Sequence, residues 1–553
     1  MPGLLSQRPL VGLSRGNWVR EVTAGVTLLA IAIPLNIGYA QIAGLPPTAG
    51  LYALVVPTII YALAVSSRQL VVSPDAAAAA LVASSLGGLA AAGSADYSTL
   101  ALAQAILCGV LFLAMAYFKL GFLANFLSKP ILVGFVGGLA LDILVSQIAK
   151  MLGVKIDSGG EFTEKVVDLV SGLGTTNLWS LAIAAVAVLI LSIGKRLARA
   201  VPWALIVLIL ATVLVVAANL VDTGVDVLGE VPAGPPALTW PVISWSSWLL
   251  LVPSALALTL VTTAEGLLVS RSYAERNGYR TSPNRDLFAF GLGNIAAGAS
   301  GSFAMGSSTS RTAAMDQVGS RTQLPSLILA AGTLLLLLFG TALLADIPSP
   351  AIGAIVGVAI LPLLGIREFA AIWRADRFEF AIAAVCFLVT LLVGSIPGIV
   401  VAFVLALINL AKRAANPAID VLERGDTPGE SLLAEAPEGS VTAPGIIVIR
   451  LAAPLFFANG AVFSQAVQRA VRAAPDVRHL VVDMEAVTDI DVTGAESFAA
   501  LKGWLDAQHV ELGFSRVRSD ARARLVELGI LGEERVFPTN RAALEALAPD
   551  GTR

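Results

Sequence analysis

Charge is scarce along this chain: 14% of its 553 residues are Asp, Glu, Lys or Arg, against 56% hydrophobic. A soluble globular protein carries about 25% charged residues. Together with a mean hydropathy of +0.82, the deficit excludes an ordinary soluble protein and implies an integral membrane one. The 36 basic and 39 acidic residues form no basic tract or aromatic-basic stripe, which removes nucleic acid as a partner. Cysteine is limited to Cys108 and Cys386, both inside apolar runs, so neither a disulfide framework nor a thiolate metal site is expected. His479 and His509 stand far apart in a polar region and read as surface or capping residues rather than metal ligands. Nucleophile-base pairs, phosphate loops and metal clusters are all missing, so no enzyme activity and no cofactor are expected. Arg8, Arg15 and Arg20 precede the first apolar run without a short hydrophobic core and small-residue cleavage site. No cleavable signal is expected.

What is present is a series of apolar runs, at 22–44, 48–65, 75–93, 98–118, 130–153, 178–194, 201–221, 248–270, 286–303, 307–320, 324–345, 349–365, 378–395 and 396–413. Most approach the ~20 residues a helix needs to span a bilayer, which gives about fourteen spans. Lys195, Arg196, Arg199, Arg271, Arg276, Arg280, Arg285, Arg367, Arg374, Arg377, Lys412 and Arg413 then fall on one side, and Asp157, Glu161, Glu164, Asp168, Asp222, Asp226 and Asp346 on the other. Positive loops stay cytoplasmic, so both termini are expected in the cytoplasm.

One run is unlike the rest. Gly301 to Met315 is built of small and hydroxyl residues around Arg311, and an arginine at membrane depth normally faces a polar cavity on a substrate or ion path. From Ser307 to Ser320 about 14 residues, rising ~1.5 Å each, cover roughly 21 Å of a ~30 Å hydrocarbon core. A half-helix of this kind points its positive N-terminus at an anion near the midplane. Gln69 to Ala77 has the same shape, a β-like stretch running into an alanine-rich helix. The two occupy the third segment of each half, and seven spans per half set the halves in opposite orientations, so the pattern reads as an inverted repeat.

After Arg413 the composition changes. A Pro/Gly/acid-rich stretch, 414–443, reads as a linker, and strands at Ile446–Leu451 and His479–Met484 alternate with helices at Gly460–Ala474, at Thr493–Ala507 and ending at Leu525–Leu531. This is the pattern of a small soluble α/β domain. The expected division is 1–16 as a cytoplasmic N-terminal segment, 17–222 and 223–413 as seven-span repeats, 414–443 as linker and 444–553 as the soluble domain.

Pro34 to Tyr52, with Ser67-Arg68-Gln69-Leu70 and Ser73-Pro74-Asp75-Ala76, resembles the signature of the SulP sulfate permeases, the solute carrier family 26 anion transporters. Asn284-Arg285-Asp286-Leu287, Gly293-Asn294, Ser310-Arg311-Thr312-Ala313 and Gly319 to Leu324 resemble the family's second block. Asp483 to Gly494 is similar to the loop of STAS domains, which also occur in anti-sigma factor antagonists. The resemblance, over residues 17–547, implies a seven-plus-seven inverted repeat with core and gate parts, a cytoplasmic STAS domain and a homodimer in a bacterial inner membrane. It implies transport of a small anion, sulfate first and bicarbonate or a dicarboxylate next, with H+ or Na+ as a possible co-ion. Two departures stand out: Ser73 replaces the glycine common before the Pro-Asp, and Asp142 interrupts a fifth segment that is otherwise apolar there. The rival functions are a nucleobase permease of the same fold, against which Arg311 and the STAS-like domain argue, and a membrane signalling protein that senses an anion.

Arg311, Ser308, Ser310 and Ala76, at the starts of the two half-helices, are the candidate anion ligands, and the resemblance adds Tyr39 of a broken first segment as a wall. The rival for Arg311 is a structural ion pair or carbonyl clamp, and for the serines helix capping. Glu265 is either a switchable proton carrier or a fixed counter-ion to Arg311, because desolvation and a nearby cation act on a carboxylate in opposite directions. Asp75 is expected to cap its own helix, since a free carboxylate would repel the anion. Asn36 and Gln41 are expected to satisfy backbone groups freed by a break after Pro34. Thr493 is a candidate regulatory phosphosite or an N-cap.

Overall fold

The computed structural model describes residues 10–548 except 15, 126–127, 158–159, 198–200, 424–438 and 533–534. Arg8, Arg15, Arg199 and about half of the expected linker lie outside the described residues. Two units are separable, Met1–Ala406 and Leu407–Arg553.

In the first half of the membrane unit, α1 (Trp18–Ile42) is followed by α2 (Pro47–Ala53) and α3 (Val56–Ala64), which fill one span. Strand β1 (Val72–Ser73) then runs into α4 (Ala76–Leu86), and α5 (Ala95–Tyr117), α6 (Lys129–Leu152), a short α7 (Phe162–Ser171), α8 (Leu178–Leu197) and α9 (Trp203–Ala217) complete the half. The second half repeats the plan with α10 (Trp245–Arg276), α11 (Pro283–Ala299), strand β2 (Gly306–Ser307) running into α12 (Thr309–Val318), α13 (Leu324–Phe339), α14 (Ser349–Ile360), a short α15 (Ile366–Ala375), α16 (Arg377–Leu392) and α17 (Ser395–Ala415). Even the short amphipathic helices correspond, α7 and α15 each following the fifth segment of its half. Among the described residues seven helical stretches are long and apolar enough to cross a membrane singly. The half-helices α4 and α12, of 11 and 10 residues, reach only about 15 Å each and need their strand arms to complete a span.

Local chemistry sets these boundaries. Asp75 Oδ1 accepts from Ala78 N at 2.8 Å and caps α4, while Ser308 Oγ accepts from Arg311 N at 3.3 Å and caps α12, each filling a donor that the first helical turn leaves free. Gly319, at φ +93°, closes α12 in the left-handed conformation that favours glycine. α5 and α11 approach closely through small residues: a Cβ on Gly298 would collide with the Leu102 carbonyl. One expectation fails here. α1 is continuous through Pro34, which is buried among its neighbours; the carbonyl Pro34 leaves without its helical donor is that of Ala30, whereas Asn36 Nδ2 bonds the Ala32 carbonyl at 2.9 Å.

The second unit is a five-stranded sheet, in the order β3 (Ile419–Val421), β4 (Ile446–Leu451), β5 (His479–Asp483), β6 (Glu511–Ser515), β7 (Arg535–Phe537), with β3 antiparallel and the rest parallel. Four helices flank it, α18 (Gly460–Ala473), α19 (Val492–Ala507), α20 (Ser519–Glu527) and α21 (Asn540–Leu547). Ile447, Ile449 and Leu451 face one core and Ile446 and Val448 the other, which is why β4 reads as an unbroken apolar run. The stretch 414–443 is not only linker: β3 lies within it, pairing Asp420 with Arg450 and extending the sheet. The third helix ends at Glu527, with Gly529 at φ +70° turning the chain before Leu531.

Candidate functional site

β1 and β2 pair antiparallel, Val72 opposite Ser307 and Ser73 opposite Gly306. The pairing brings the N-termini of α4 and α12 together from opposite halves of the chain. Ser308 N donates to the Val71 carbonyl at 3.0 Å and Val71 N donates to Thr312 Oγ1 at 3.0 Å, so the crossing is tied on both sides. Gly306 is required here, because any Cβ would collide with the Asp75 carboxylate.

Arg311, 1% exposed, heads the largest fully buried side chains of the protein. Its guanidinium reaches across the repeat: Nη1 donates to Ser73 Oγ and Nη2 to the Pro74 carbonyl at 2.8 Å. The Tyr39 ring lies 6.0 Å from its Cζ, at the limit of a cation-π contact. Nε is buried and has no partner among the described residues. Ser307 Oγ on β2 and Thr263 Oγ1 on α10 are likewise buried without partners. A buried unpaired donor costs about 1–3 kcal/mol, and here three hydroxyl or guanidinium groups of one region bear that cost. Thr309 and Ser310 are exposed, and their backbone N–H groups, in the first turn of α12, have no intrahelical acceptor. The arrangement presents a cation and free donors to a small anion.

The structure therefore brings Tyr39, Asp75, Ala76, Ser308, Ser310 and Arg311 to one place. Ala76, 4% exposed, opens α4. Ser308 caps α12 and lies 3.5 Å from the Ser310 hydroxyl, and Asp75 caps α4. Glu265, half-buried on α10, has the Asp75 carboxyl as its charged neighbour, whereas two of Arg311's donors are turned to Ser73 and Pro74. Gln41 bonds no freed backbone group; its Oε1 accepts from Lys150 Nζ at 3.0 Å. Asp142 pairs with Lys165 Nζ at 2.8 Å. Thr493 is exposed in the first turn of α19, and Asp491 takes the N-cap by accepting from Gly494 N at 2.6 Å. Ser73 was legible only as a departure from a glycine, yet it is the hydroxyl that seats Arg311. Ser307 and Thr263 went unread, because a hydroxyl in a buried strand or an apolar helix carries no signal of where it points.

The remaining motif residues form a second lattice, at the other end of these segments. Glu21, fully buried, accepts from Ser320 Oγ at 2.7 Å, Arg321 N at 2.6 Å and Thr322 Oγ1 at 2.9 Å. Asp286 accepts from Ser66 N at 2.8 Å and from the hydroxyls of Ser66 and Ser270 at 2.6 Å each. Gln323 Nε2 donates to the Ser67 and Leu70 carbonyls at 3.0 Å, and Tyr279 Oη donates to Gln69 Oε1 at 2.8 Å. Burial pushes the Tyr279 phenol above its usual range, which keeps it a neutral donor at physiological pH. The lattice ties the two half-helix arms to each other and to α1, α10 and α11. Beside it a vestibule of about 990 Å³ is lined by Lys119, Lys129, Arg271 and Arg280 and reaches α10 at Ala264 and Leu267, flanking Glu265. Glu275, paired with Arg271 at 2.8 Å, and the buried Asp286 line it too, so four cations stand against two acids, and a net basic wall raises local anion concentration.

Comparison with known proteins bears on the family and the fold. The sulfate permease family matches residues 19–386 and the STAS domain residues 440–543. A probable sulfate transporter of Mycobacterium tuberculosis is 34% identical over 538 residues, covering 96% of this chain and 95% of the relative. The murine solute carrier 26 family member A9 anion transporter, solved in the inward-facing state, superposes with a TM-score of 0.87 at 22% identity, covering 98% of this chain and 94% of that one. The transmembrane domain of a cyanobacterial bicarbonate transporter, BicA, gives 0.63 at 23% identity, covering 70% and 98%. At those identities the two structures speak for the fold alone.

Proposed function

The chain belongs to the sulfate permease family, and from that premise we propose that it is a secondary transporter of a small inorganic or organic anion, sulfate first and bicarbonate or a dicarboxylate next. The observation that carries the reading is Arg311, buried between two facing half-helix N-termini with Nε unpartnered. Each helix end supplies about half a positive charge and Arg311 one more, about two in all. Asp75 caps α4 and offsets about one of these. With Glu265 ionised the seat is then close to neutral, and with Glu265 protonated it carries about one net positive charge. A divalent anion is therefore better held when Glu265 carries a proton, so the reading includes Glu265 as the group that moves H+ with the anion, Na+ being the alternative co-ion. Ser310 and the N–H groups of Thr309, Ser310 and Ala76 complete the seat, and Tyr39 walls it.

The chain is a multi-pass membrane protein. The reading places it in a bacterial inner membrane as a homodimer, with both ends cytoplasmic because the basic loops fall on that side. The exposed Thr493 is the place where a modification of the STAS domain would act. The experiment is uptake of radiolabelled sulfate, bicarbonate, chloride and succinate into proteoliposomes, with thermal stabilisation by the same anions. Sulfate uptake above empty liposomes is the expected result, and a protein that neither takes up nor is stabilised by any of the four ends the reading.

A further inference from the structure

At the far ends of α1, α4 and α6 a cavity of about 20 Å³ is lined by Gln41, Ala80, Asp142, Gln147, Lys150 and Lys165. None of Tyr39, Ala76, Ser308, Ser310 or Arg311 lines it, and Gln41, two residues beyond Tyr39, is turned about 200° from it around α1; from the polar lattice it is separated by the 20 residues between Glu21 and Gln41, about 30 Å at 1.5 Å per residue. Two ammonium groups and one carboxylate meet there, a net charge of one positive. Lys165 from α7, its side chain 8% exposed, donates to both Asp142 oxygens, at 3.0 and 2.8 Å. Lys150, half-buried on α6, instead donates to the neutral Gln41 Oε1 at 3.0 Å. Gln147 is 1% exposed, and neither its amide nitrogen nor its amide oxygen has a partner among the described residues.

Gln147 and Lys150 are three residues apart and share one face of α6. A cation on a membrane helix with only a neutral acceptor lacks its counter-charge, and an amide N–H₂ beside it is a donor with nothing to receive it. Both deficits are met by one negative ion. The cavity has room for one or two water-sized probes, which suits one small monovalent ion. We propose that this cavity is a second anion site, taking one halide-sized monovalent anion bound by Lys150 Nζ and the Gln147 amide N–H. Asp142, the acid that interrupts the apolar pattern of its segment, then has a defined role, because it holds Lys165 so that one cation and not two faces the ion.

The test uses purified full-length protein with chloride as the probe, replaced by gluconate at constant ionic strength. Chloride is expected to raise the melting temperature of the wild type and of Arg311→Ala, in which the half-helix seat is disabled. In that background Lys150→Met, or Gln147→Leu should the lysine variant fold poorly, is expected to weaken the apparent chloride affinity about tenfold or more, the loss of one charge-assisted donor. Crystals of the wild type soaked in bromide should show an anomalous peak beside Lys150 Nζ. A chloride response that survives both α6 substitutions, that disappears with Arg311→Ala alone, or that is absent from the wild type overturns the site, as does bromide density elsewhere only.

Discussion

α4 opens Asp75-Ala76-Ala77-Ala78, and α12 opens Ser308-Thr309-Ser310-Arg311. The two half-helices share a strand arm, a capped start and a length of about three turns, as an inverted repeat requires. Their chemistry differs. α4 is apolar and carries no cation; besides its helix N-terminus, its arm lends the centre acceptors, Ser73 Oγ and the Pro74 carbonyl, both taken by Arg311. α12 supplies the cation, the exposed hydroxyl of Ser310 and the free N–H groups. The two repeats thus share a backbone plan, with the buried cation on one and its brace on the other.

The strongest way to break that division is Arg311→Ala. Loss of the charged donor should reduce anion transport by about 100-fold or more with the protein still inserted, and Arg311→Lys should restore it only in part, because lysine lacks the planar fork that reaches Ser73 and Pro74 together. Uptake per inserted protein is the measurement. Ser73→Ala tests the brace. It leaves a guanidinium N–H buried and unpaired, at a cost of about 1–3 kcal/mol, so anion affinity should fall about tenfold while α4 still forms.

Glu265→Gln removes the exchangeable proton near the seat. Wild-type sulfate uptake should rise as pH falls, since protonation takes a negative charge from the site. The Gln variant should bind sulfate yet show a flat pH profile and no proton movement in a pH-jump assay. A flat wild-type profile would remove Glu265 from the mechanism. Smaller effects separate the two caps: Asp75→Ala and Ser308→Ala should each cost about 1 kcal/mol of stability. Asp75→Asn keeps the cap, removes a negative charge, and should tighten anion binding. The smallest effect on the half-helices should come from deleting residues 416–553. The deletion must begin before β3 to take the whole sheet, and anion-dependent thermal stabilisation of the remaining membrane unit should persist.

Part of the site was legible because depth and spacing constrain it. An arginine inside a short hydroxyl-rich segment has few places to be, and an acid after proline and before an alanine run is a cap by local chemistry. The pairs made across the fold were not legible. Arg311 and Ser73 lie 238 positions apart, and Lys165 and Asp142 sit on different helices, so their meeting depends on packing that no local pattern encodes. The same holds for Pro34, which reads as a break but sits in a continuous helix because neighbouring segments support it.

By itself the sequence determined that this is a many-span membrane protein with an α/β domain at its C-terminal end, that its third and tenth segments are half-helices, and that Arg311 stands at the start of one. Apolar run length, charge placement and capping are short-range properties, and a single chain displays them. Only the tertiary structure decided that the two half-helices face each other through an antiparallel pair, that Ser73 rather than Glu265 holds Arg311, and that Lys150 is left with a neutral partner. Those outcomes depend on which donors and acceptors the fold brings within 3 Å across hundreds of residues, where burial makes every unmatched group costly.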